Sequence, residues 1–96
     1  MPLHSYHVRT SAHFDRLIKK LAPKHPDLIG RLEEVISILS DDPYNLTGKY
    51  PIKKLQDVPS GEGQYRLRSS RFRFRYDVIV KNVVLHYCGL RREDTY

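Results

Sequence analysis

The sequence predicts an α+β fold in the order β-α-α-β-β-β, with an antiparallel sheet and an N-terminal helical hairpin packed on one of its faces. Two observations lead to this prediction. Two stretches in the first half repeat apolar side chains at the helical period, and three runs of β-type residues separated by short polar turns fill the second half. At 96 residues the chain is too short for two separate cores, so we expect a single domain over residues 1–96.

The first half predicts one short strand followed by two helices. Residues 6–9 have the composition of a strand, and Ser11 is placed to cap the first helix. Pro23 ends that helix, Pro26 begins the second, and Asp-Asp-Pro at 41–43 ends it. Because only a few residues join the helices, they form an antiparallel hairpin. Their apolar stripes consist of Phe14, Leu17, Ile18, Leu21, Leu28, Ile29, Leu32, Val35, Ile36 and Leu39.

The second half predicts a loop followed by an antiparallel meander. Residues 43–63 are rich in Pro, Gly, Asn and Ser and hold at most a short edge strand at 52–55. Three further strands are expected at 64–68, 72–79 and 83–88, with a turn between each pair.

Composition and charge indicate a polyanionic partner. The chain has 17 Lys and Arg against 11 Asp and Glu, a formal net charge of +6, and its pI is near 9.6. Arginine suits bidentate contacts with phosphate, and bases without counter-charges would repel one another on an ordinary surface. The excess is concentrated in the run 65–75, which contains no acid and carries Arg66, Arg68, Arg71, Arg73 and Arg75.

The residue composition also excludes other classes of protein. A single cysteine, Cys88, rules out an intramolecular disulfide framework and a multi-cysteine zinc site. The histidines are scattered, so we expect no metal site. No window has the length of a membrane span and the N-terminus lacks the regions of a signal peptide, so we expect a cytoplasmic protein with no membrane partner.

Side-chain parity assigns the arginines and the aromatic residues of the first hairpin to opposite faces. With residues 69–70 as a two-residue turn, Arg68 lies opposite Arg71, and Arg66 lies opposite Arg73. The arginines through position 75 then share one open face. The other face, which the helices cover as the core, carries Tyr65, Leu67, Phe72, Phe74 and Tyr76.

Three segments of the sequence together resemble the signature of the RelE/ParE toxin superfamily. They are YRLR at 65–68, RFRFRYDV at 71–78 and GLRREDTY at 89–96. The helical hairpin, the break at 42–43 and the basic segment at 53–55 precede them in the usual order, so the resemblance covers nearly the whole chain. No single segment is specific, but the ordered set is.

The resemblance implies the toxin of a type II toxin–antitoxin pair, held inactive by a cognate antitoxin. In the RelE-like branch, which the ending at 89–96 favours, the toxin is a ribosome-dependent mRNA endoribonuclease, or mRNA interferase. It cleaves in the ribosomal A site by attack of a 2'-hydroxyl, with no metal or other cofactor. The alternatives are a ParE-like inhibitor of DNA gyrase and a degenerate, non-catalytic nucleic-acid-binding member. The implied partners are the antitoxin, the ribosome, mRNA and, through the antitoxin, operator DNA.

The resemblance also implies which residues form the site. Arginine stands at positions 66 and 68, where some active relatives have lysine. The catalytic positions carried over are Arg66, Arg68, Arg73, Arg91 and Tyr96. The accompanying RNA-binding residues are Arg71, Arg75, Lys53, Lys54 and Arg92.

A proton acceptor for the 2'-hydroxyl is the one part that arginine cannot supply. A guanidinium with a pKa above about 12 is a poor general base at neutral pH. His86 shares the open face if residues 81–82 form a tight turn, and it is then a catalytic candidate. The alternative is a structural histidine paired across the sheet with Asp77. Tyr96 is a second candidate acceptor, provided that its pKa is strongly lowered.

Overall fold

Two helices and five strands make up residues 5–91, the part of the chain that the computed structural model describes. The predicted α+β fold and the order of its elements are confirmed, and the short edge strand is present as β2. In chain order the elements are β1 (His7–Thr10), α1 (Ala12–Leu21), α2 (Leu28–Asp41), β2 (Ile52–Lys54), β3 (Tyr65–Ser69), β4 (Phe72–Ile79) and β5 (Asn82–Leu90).

The strands form one sheet in the order β1-β5-β4-β3-β2. Strands β2 to β5 are antiparallel neighbours, as predicted. Strand β1 instead lies parallel to β5, with His7 opposite Asn82, so the prediction of a wholly antiparallel sheet is wrong at this edge. The path of the chain explains the difference. The helices carry it from one edge of the sheet to the other, and the meander then returns, strand by strand, to β1.

Local interactions explain where the helices begin and end. The side chain of Ser11 accepts a hydrogen bond from the backbone N–H of Phe14 at 3.0 Å and caps α1, as predicted. Helix α2 begins at Leu28, slightly after the proline expected to start it, because residues 22–27 form the turns between the helices. It ends at Asp41, as predicted. Within residues 5–91, no helix is long and apolar enough to cross a membrane.

The helices cover the aromatic face of the sheet, as side-chain parity predicts. The ring of Phe14 in α1 lies 6.4 Å from that of Phe74 in β4, centroid to centroid. The buried hydroxyl of Tyr76 donates a hydrogen bond to the carbonyl oxygen of Pro43 at 2.7 Å and ties β4 to the segment after α2. The buried core comprises Phe14, Leu28, Val35, Leu39, Leu67, Phe72, Phe74, Tyr76, Val83, Leu85 and Cys88.

The first hairpin turn lies one residue later than predicted. Residues 70–71 form the turn, so Arg68 pairs with Arg73 and Arg66 pairs with Arg75. The predicted pairings of Arg68 and Arg66 are therefore wrong, because residue 70, with a φ of 58°, takes the left-handed conformation that this tight turn needs. The pairing shifts by two residues, and an even shift leaves each strand side chain on its predicted face.

We predict that stability depends on the aromatic face of β4 and little on its open end. Phe74→Ala empties a fully buried site and should lower the free energy of unfolding by about 3–5 kcal/mol. Ile79→Ala, at a half-exposed position of the same strand, should cost less than about 1 kcal/mol. Urea unfolding followed by circular dichroism measures both. Equal losses in the two variants would contradict the placement of the core.

Candidate nucleic-acid interface

The face of the sheet away from the helices carries a cluster of cations, which we term the arginine face: Lys53, Arg66, Arg68, Arg73 and Arg75. Strand register arranges this side of the sheet in two rows. The first row is Lys53, Arg66, Arg75 and Tyr87, and the second is Arg68, Arg73 and Gly89. The predicted separation of the strand arginines from the aromatic core is therefore confirmed.

The arginine face combines exposed and partly buried guanidinium groups. Arg68 is exposed, whereas Arg66, Arg73 and Arg75 are half-buried. The Nε atoms of Arg66 and Arg73 lie fully buried against the sheet. Like charges on neighbouring strands repel, and an anion placed across them relieves that repulsion. Because the half-buried side chains are already held in place, they lose little conformational entropy when they bind a phosphate.

A β-bulge in β5 changes which side chains reach the arginine face. Arg75 pairs with Tyr87, whereas the next residue of β4, Tyr76, pairs with Leu85, so that His86 is an extra residue in β5. His86 and Tyr87 consequently both line a cavity on the open side of the sheet. The turn before β5 lies at 80–81 and not at the predicted 81–82.

Tyr87 is a component of the interface that sequence reasoning missed. Strict alternation along β5 would place His86 on the arginine face and Tyr87 in the core, and the bulge moves Tyr87 to the arginine face as well. Its ring lies across Gly89, where any larger side chain would overlap the tyrosine hydroxyl. Glycine at this position is the one sequence signal of such a close approach.

Asp77 is a buried acid on the open side of β4, and a loop covers it. Its side chain is 1% exposed. Oδ2 accepts hydrogen bonds from the backbone N–H groups of Gly61 at 2.8 Å and Gly63 at 3.2 Å, and Oδ1 accepts one from that of Gln64 at 2.9 Å. Nε2 of His86 lies 2.9 Å from Oδ2. The carboxylate therefore joins the loop, β4 and the β5 bulge, and the cross-strand pairing of His86 with Asp77 is present.

The loop that covers Asp77 lies directly on β4. Gly63 has a φ of +85°, and a Cβ atom there would come within 2.8 Å of the Cβ of Arg75. Glycine is therefore required for this contact. The Nε–H of Arg75 also donates a hydrogen bond to the carbonyl oxygen of Gly63 at 3.1 Å. The loop thus covers the arginine face at Arg75.

The environment of Asp77 keeps its carboxylate ionised. Burial alone would raise the pKa of Asp77, but the three backbone N–H donors and the neighbouring His86 ring more than compensate, and the pKa lies below its ordinary value. In the folded protein, Asp77 is therefore a fixed negative charge beneath the loop. It compensates part of the positive charge on this side of the sheet.

A cavity of about 350 Å³ opens beside this buried acid, where α1 begins next to the edge of β5. Its lining includes Ser11, His13, Glu62, Arg75, His86 and Tyr87. Within residues 5–91, no group of three or more His, Cys, Asp or Glu side chains is arranged to hold a metal ion. The cavity instead brings together imidazole, guanidinium and phenol groups, which suit proton transfer and anion binding.

Two of the predicted RNA-binding residues lie away from the arginine face. Arg71 is in the hairpin turn, where its Nη2 lies 2.8 Å from Oδ1 of Asp27 and its guanidinium stacks on Phe72. Its predicted place on the arginine face is therefore wrong, because the turn moved by one residue. Lys54 follows strand alternation to the opposite face, where its Nζ lies 5.8 Å from the ring centre of Tyr65.

The remaining predicted residues belong to the end of the chain. Arg91 follows β5 and is exposed. Its backbone N–H donates a hydrogen bond to the carbonyl oxygen of Arg71 at 2.9 Å, which places it at the hairpin-turn end of the sheet, next to the second row of the arginine face. Arg92 and Tyr96 lie outside the described residues.

We predict that Asp77 makes the stability of the protein sensitive to acid. Its pKa is lowered by folding, so its contribution is complete above the unfolded value of about 3.8 and is lost as the pH falls through the folded pKa. Asp77→Asn should lower the free energy of unfolding at pH 7 by about 2 kcal/mol or more.

The difference between Asp77→Asn and the wild type should shrink below about pH 4, a comparison that urea unfolding at each pH provides. Asp42, whose pKa is also lowered, is present in both proteins and cancels. A difference that stays constant down to pH 2 would show that Asp77 is not ionised in the folded state.

Comparison with known proteins places the fold. No protein-family model and no curated protein sequence matches the chain. The crystal structure of the E. coli DinJ–YafQ complex matches with a TM-score of 0.70 and 17% identity, over 95% of this chain and 99% of that chain. YafQ from E. coli matches with a TM-score of 0.66 and 19% identity, over 92% and 96%.

An archaeal structure gives the same result. The RelE–RelB complex from Pyrococcus horikoshii OT3 matches with a TM-score of 0.66 and 23% identity, over 91% of this chain and 96% of that chain. The matches extend over nearly the full length of both chains, and so include the helical hairpin and the sheet that carries the arginine face. The protein therefore has the RelE-like fold of the YafQ and RelE toxins.

Proposed function

We propose that this protein is the toxin of a toxin–antitoxin pair and acts as a ribosome-dependent mRNA endoribonuclease. The observation that carries the proposal is the arginine face, on which two neighbouring strands hold four arginines within a stretch, residues 65–75, that contains no acid. The fold supports it, since the same fold occurs in the DinJ–YafQ toxin–antitoxin complex.

The arginine face suits a phosphodiester that is being cleaved. When a 2'-oxygen attacks the adjacent phosphorus, negative charge accumulates on the phosphorane oxygens, and guanidinium groups stabilise that charge with paired N–H donors. Arg68 and Arg73 are paired in the second row of the arginine face, and Arg66 lies beside them in the first row. We assign these three arginines to the scissile phosphate, and Arg91, at the adjacent end of the sheet, to the same phosphate or its neighbour.

The remaining residues take supporting roles in the proposal. Lys53 and Arg75 extend the contact with the RNA backbone along the first row, and Arg92 adds charge after β5. Tyr96 stacks on a base of the mRNA, as aromatic side chains do on unpaired RNA. Arg71 and Lys54, which lie off the arginine face, contact no reacting group.

The partners follow from the charge of the surface. A cognate antitoxin would neutralise the toxin by laying an acidic segment over the arginine face or by displacing the residues after β5. The toxin itself reaches mRNA in the A site of the ribosome, and the toxin–antitoxin complex binds operator DNA through the antitoxin. No cofactor takes part.

Primer extension on a defined mRNA in a reconstituted translation reaction tests the activity. Cleavage within A-site codons is expected with purified protein and ribosomes, and none when the ribosomes are left out. Intact mRNA with folded protein would overturn the proposal. Growth arrest with DNA damage would then indicate a gyrase inhibitor, and normal growth a non-catalytic binding module.

We predict that Arg73 and Lys54 respond differently to the same substitution. Arg73→Ala removes from the second row of the arginine face a guanidinium group that we propose binds the scissile phosphate. The substitution should lower the rate of mRNA cleavage by about 100-fold or more. Lys54→Ala removes an equal charge from the opposite face and should change that rate by less than about twofold. Primer extension gives both rates, and thermal unfolding checks that both variants are folded. Similar losses in the two variants would mean that the reaction depends on overall charge and not on the arginine face.

A further inference from the structure

The Asp77–His86 pair has a chemical property that the arginines lack. The three recorded hydrogen bonds to the carboxylate come from backbone N–H groups, which can only donate. An ionised carboxylate can only accept them. A lone pair on Nε2 would be repelled by the carboxylate at the 2.9 Å contact with His86, so in a neutral ring we place the proton on Nε2.

This arrangement determines the tautomer of His86. In a neutral imidazole, one nitrogen carries the proton and the other a lone pair. With the proton on Nε2, next to Asp77, the lone pair is on Nδ1. The side chain of His86 is 23% exposed, whereas that of Asp77 is 1% exposed. The basic nitrogen, Nδ1, thus belongs to a partly exposed side chain, whereas Nε2 contacts the buried carboxylate of Asp77.

The surroundings favour proton uptake during a reaction. A proton arriving at Nδ1 gives an imidazolium directly paired with the ionised carboxylate of Asp77, which stabilises the new charge. Arg75 also lines the cavity and is its guanidinium neighbour. The other titratable groups that line the cavity are His13 at the start of α1, Glu62 in the loop and Tyr87 in the bulge.

We infer that His86 Nδ1 is the proton acceptor for the attacking 2'-hydroxyl and that Asp77 is its positioning residue. This inference rests on the proposed function. The proton of the 2'-hydroxyl moves to Nδ1, and the 2'-oxygen forms a bond to phosphorus. The bond from phosphorus to the 5'-oxygen breaks, and that oxygen takes a proton from water. The products are a 2',3'-cyclic phosphate and a 5'-hydroxyl end, and His86 then returns its proton to solvent.

The bulge explains why this histidine can act beside the arginines. It places Tyr87, and not His86, opposite Arg75, and so leaves the imidazole beside the first row, where it can bind Asp77 from the open side of the sheet. Histidine here supplies the acceptor that guanidinium groups at positions 66 and 68 cannot.

The test compares His86→Gln with His7→Gln in single-turnover cleavage of mRNA on ribosomes. The amide Nε2 of glutamine can still donate to Asp77, but the side chain has no basic nitrogen. We expect His86→Gln to slow cleavage by about 100-fold or more. His7→Gln, a matched change at an exposed position of β1, should stay within about twofold of the wild type.

A second substrate distinguishes whether His86 acts as a general base or as a general acid. With sulfur in place of the 5'-oxygen at the cleaved bond, the leaving thiolate needs no proton. The loss in His86→Gln should persist on this substrate if His86 is the acceptor, and its disappearance would assign His86 to the leaving group and overturn the inference.

The remaining outcomes are also distinct. Wild-type rates in His86→Gln would overturn the inference and leave the proposed function intact, whereas no cleavage by the wild type would overturn both. If His86→Gln does not fold, His86→Gly with added imidazole replaces it. Restored cleavage is expected, and a folded glycine variant without rescue would contradict the inference.

Discussion

The arrangement of side chains on the face of the sheet away from the helices depends on one buried carboxylate, that of Asp77. Asp77 lies on a strand whose neighbouring outward positions are arginines. It accepts hydrogen bonds from three backbone N–H groups of the covering loop, and Nε2 of His86 in the β5 bulge lies 2.9 Å from its Oδ2. Three donors hold the charge in place and anchor the loop on β4, and the ion-pair contact positions the imidazole beside the carboxylate. An apolar residue at this position would leave those N–H groups buried without acceptors, at a cost of about 1–3 kcal/mol each.

The alternation of side chains along β4 makes the two functions of the sheet compatible. Phe72, Phe74 and Tyr76 point into the core, and Arg73 and Arg75 point away from it. The core residues hold the strand in position, so the arginines are presented from a rigid element and not from a loop. The repulsion between them is a local cost that the core offsets and that a bound polyanion removes.

Much of this organisation could be predicted from the sequence, because it depends on period-two alternation. The assignment of the arginines to one face survived a wrong turn position, since the pairing moved by two residues. The place of Arg71 could not be predicted, because it depends on which residue adopts a positive φ. Tyr87 was missed for a related reason. A β-bulge arises from the fit between β4, β5 and the loop, and no local pattern in β5 announces it.

The direct test of the account is a structure of the protein on a ribosome whose A-site mRNA carries a 2'-O-methyl group at the cleaved nucleotide. Such an mRNA has no attacking hydroxyl and should remain bound without reacting. We predict that the mRNA backbone lies across the arginine face, with the modified nucleotide facing the cavity at His86. Contact with the mRNA through the helices, with the arginine face turned to solvent, would contradict the central claim.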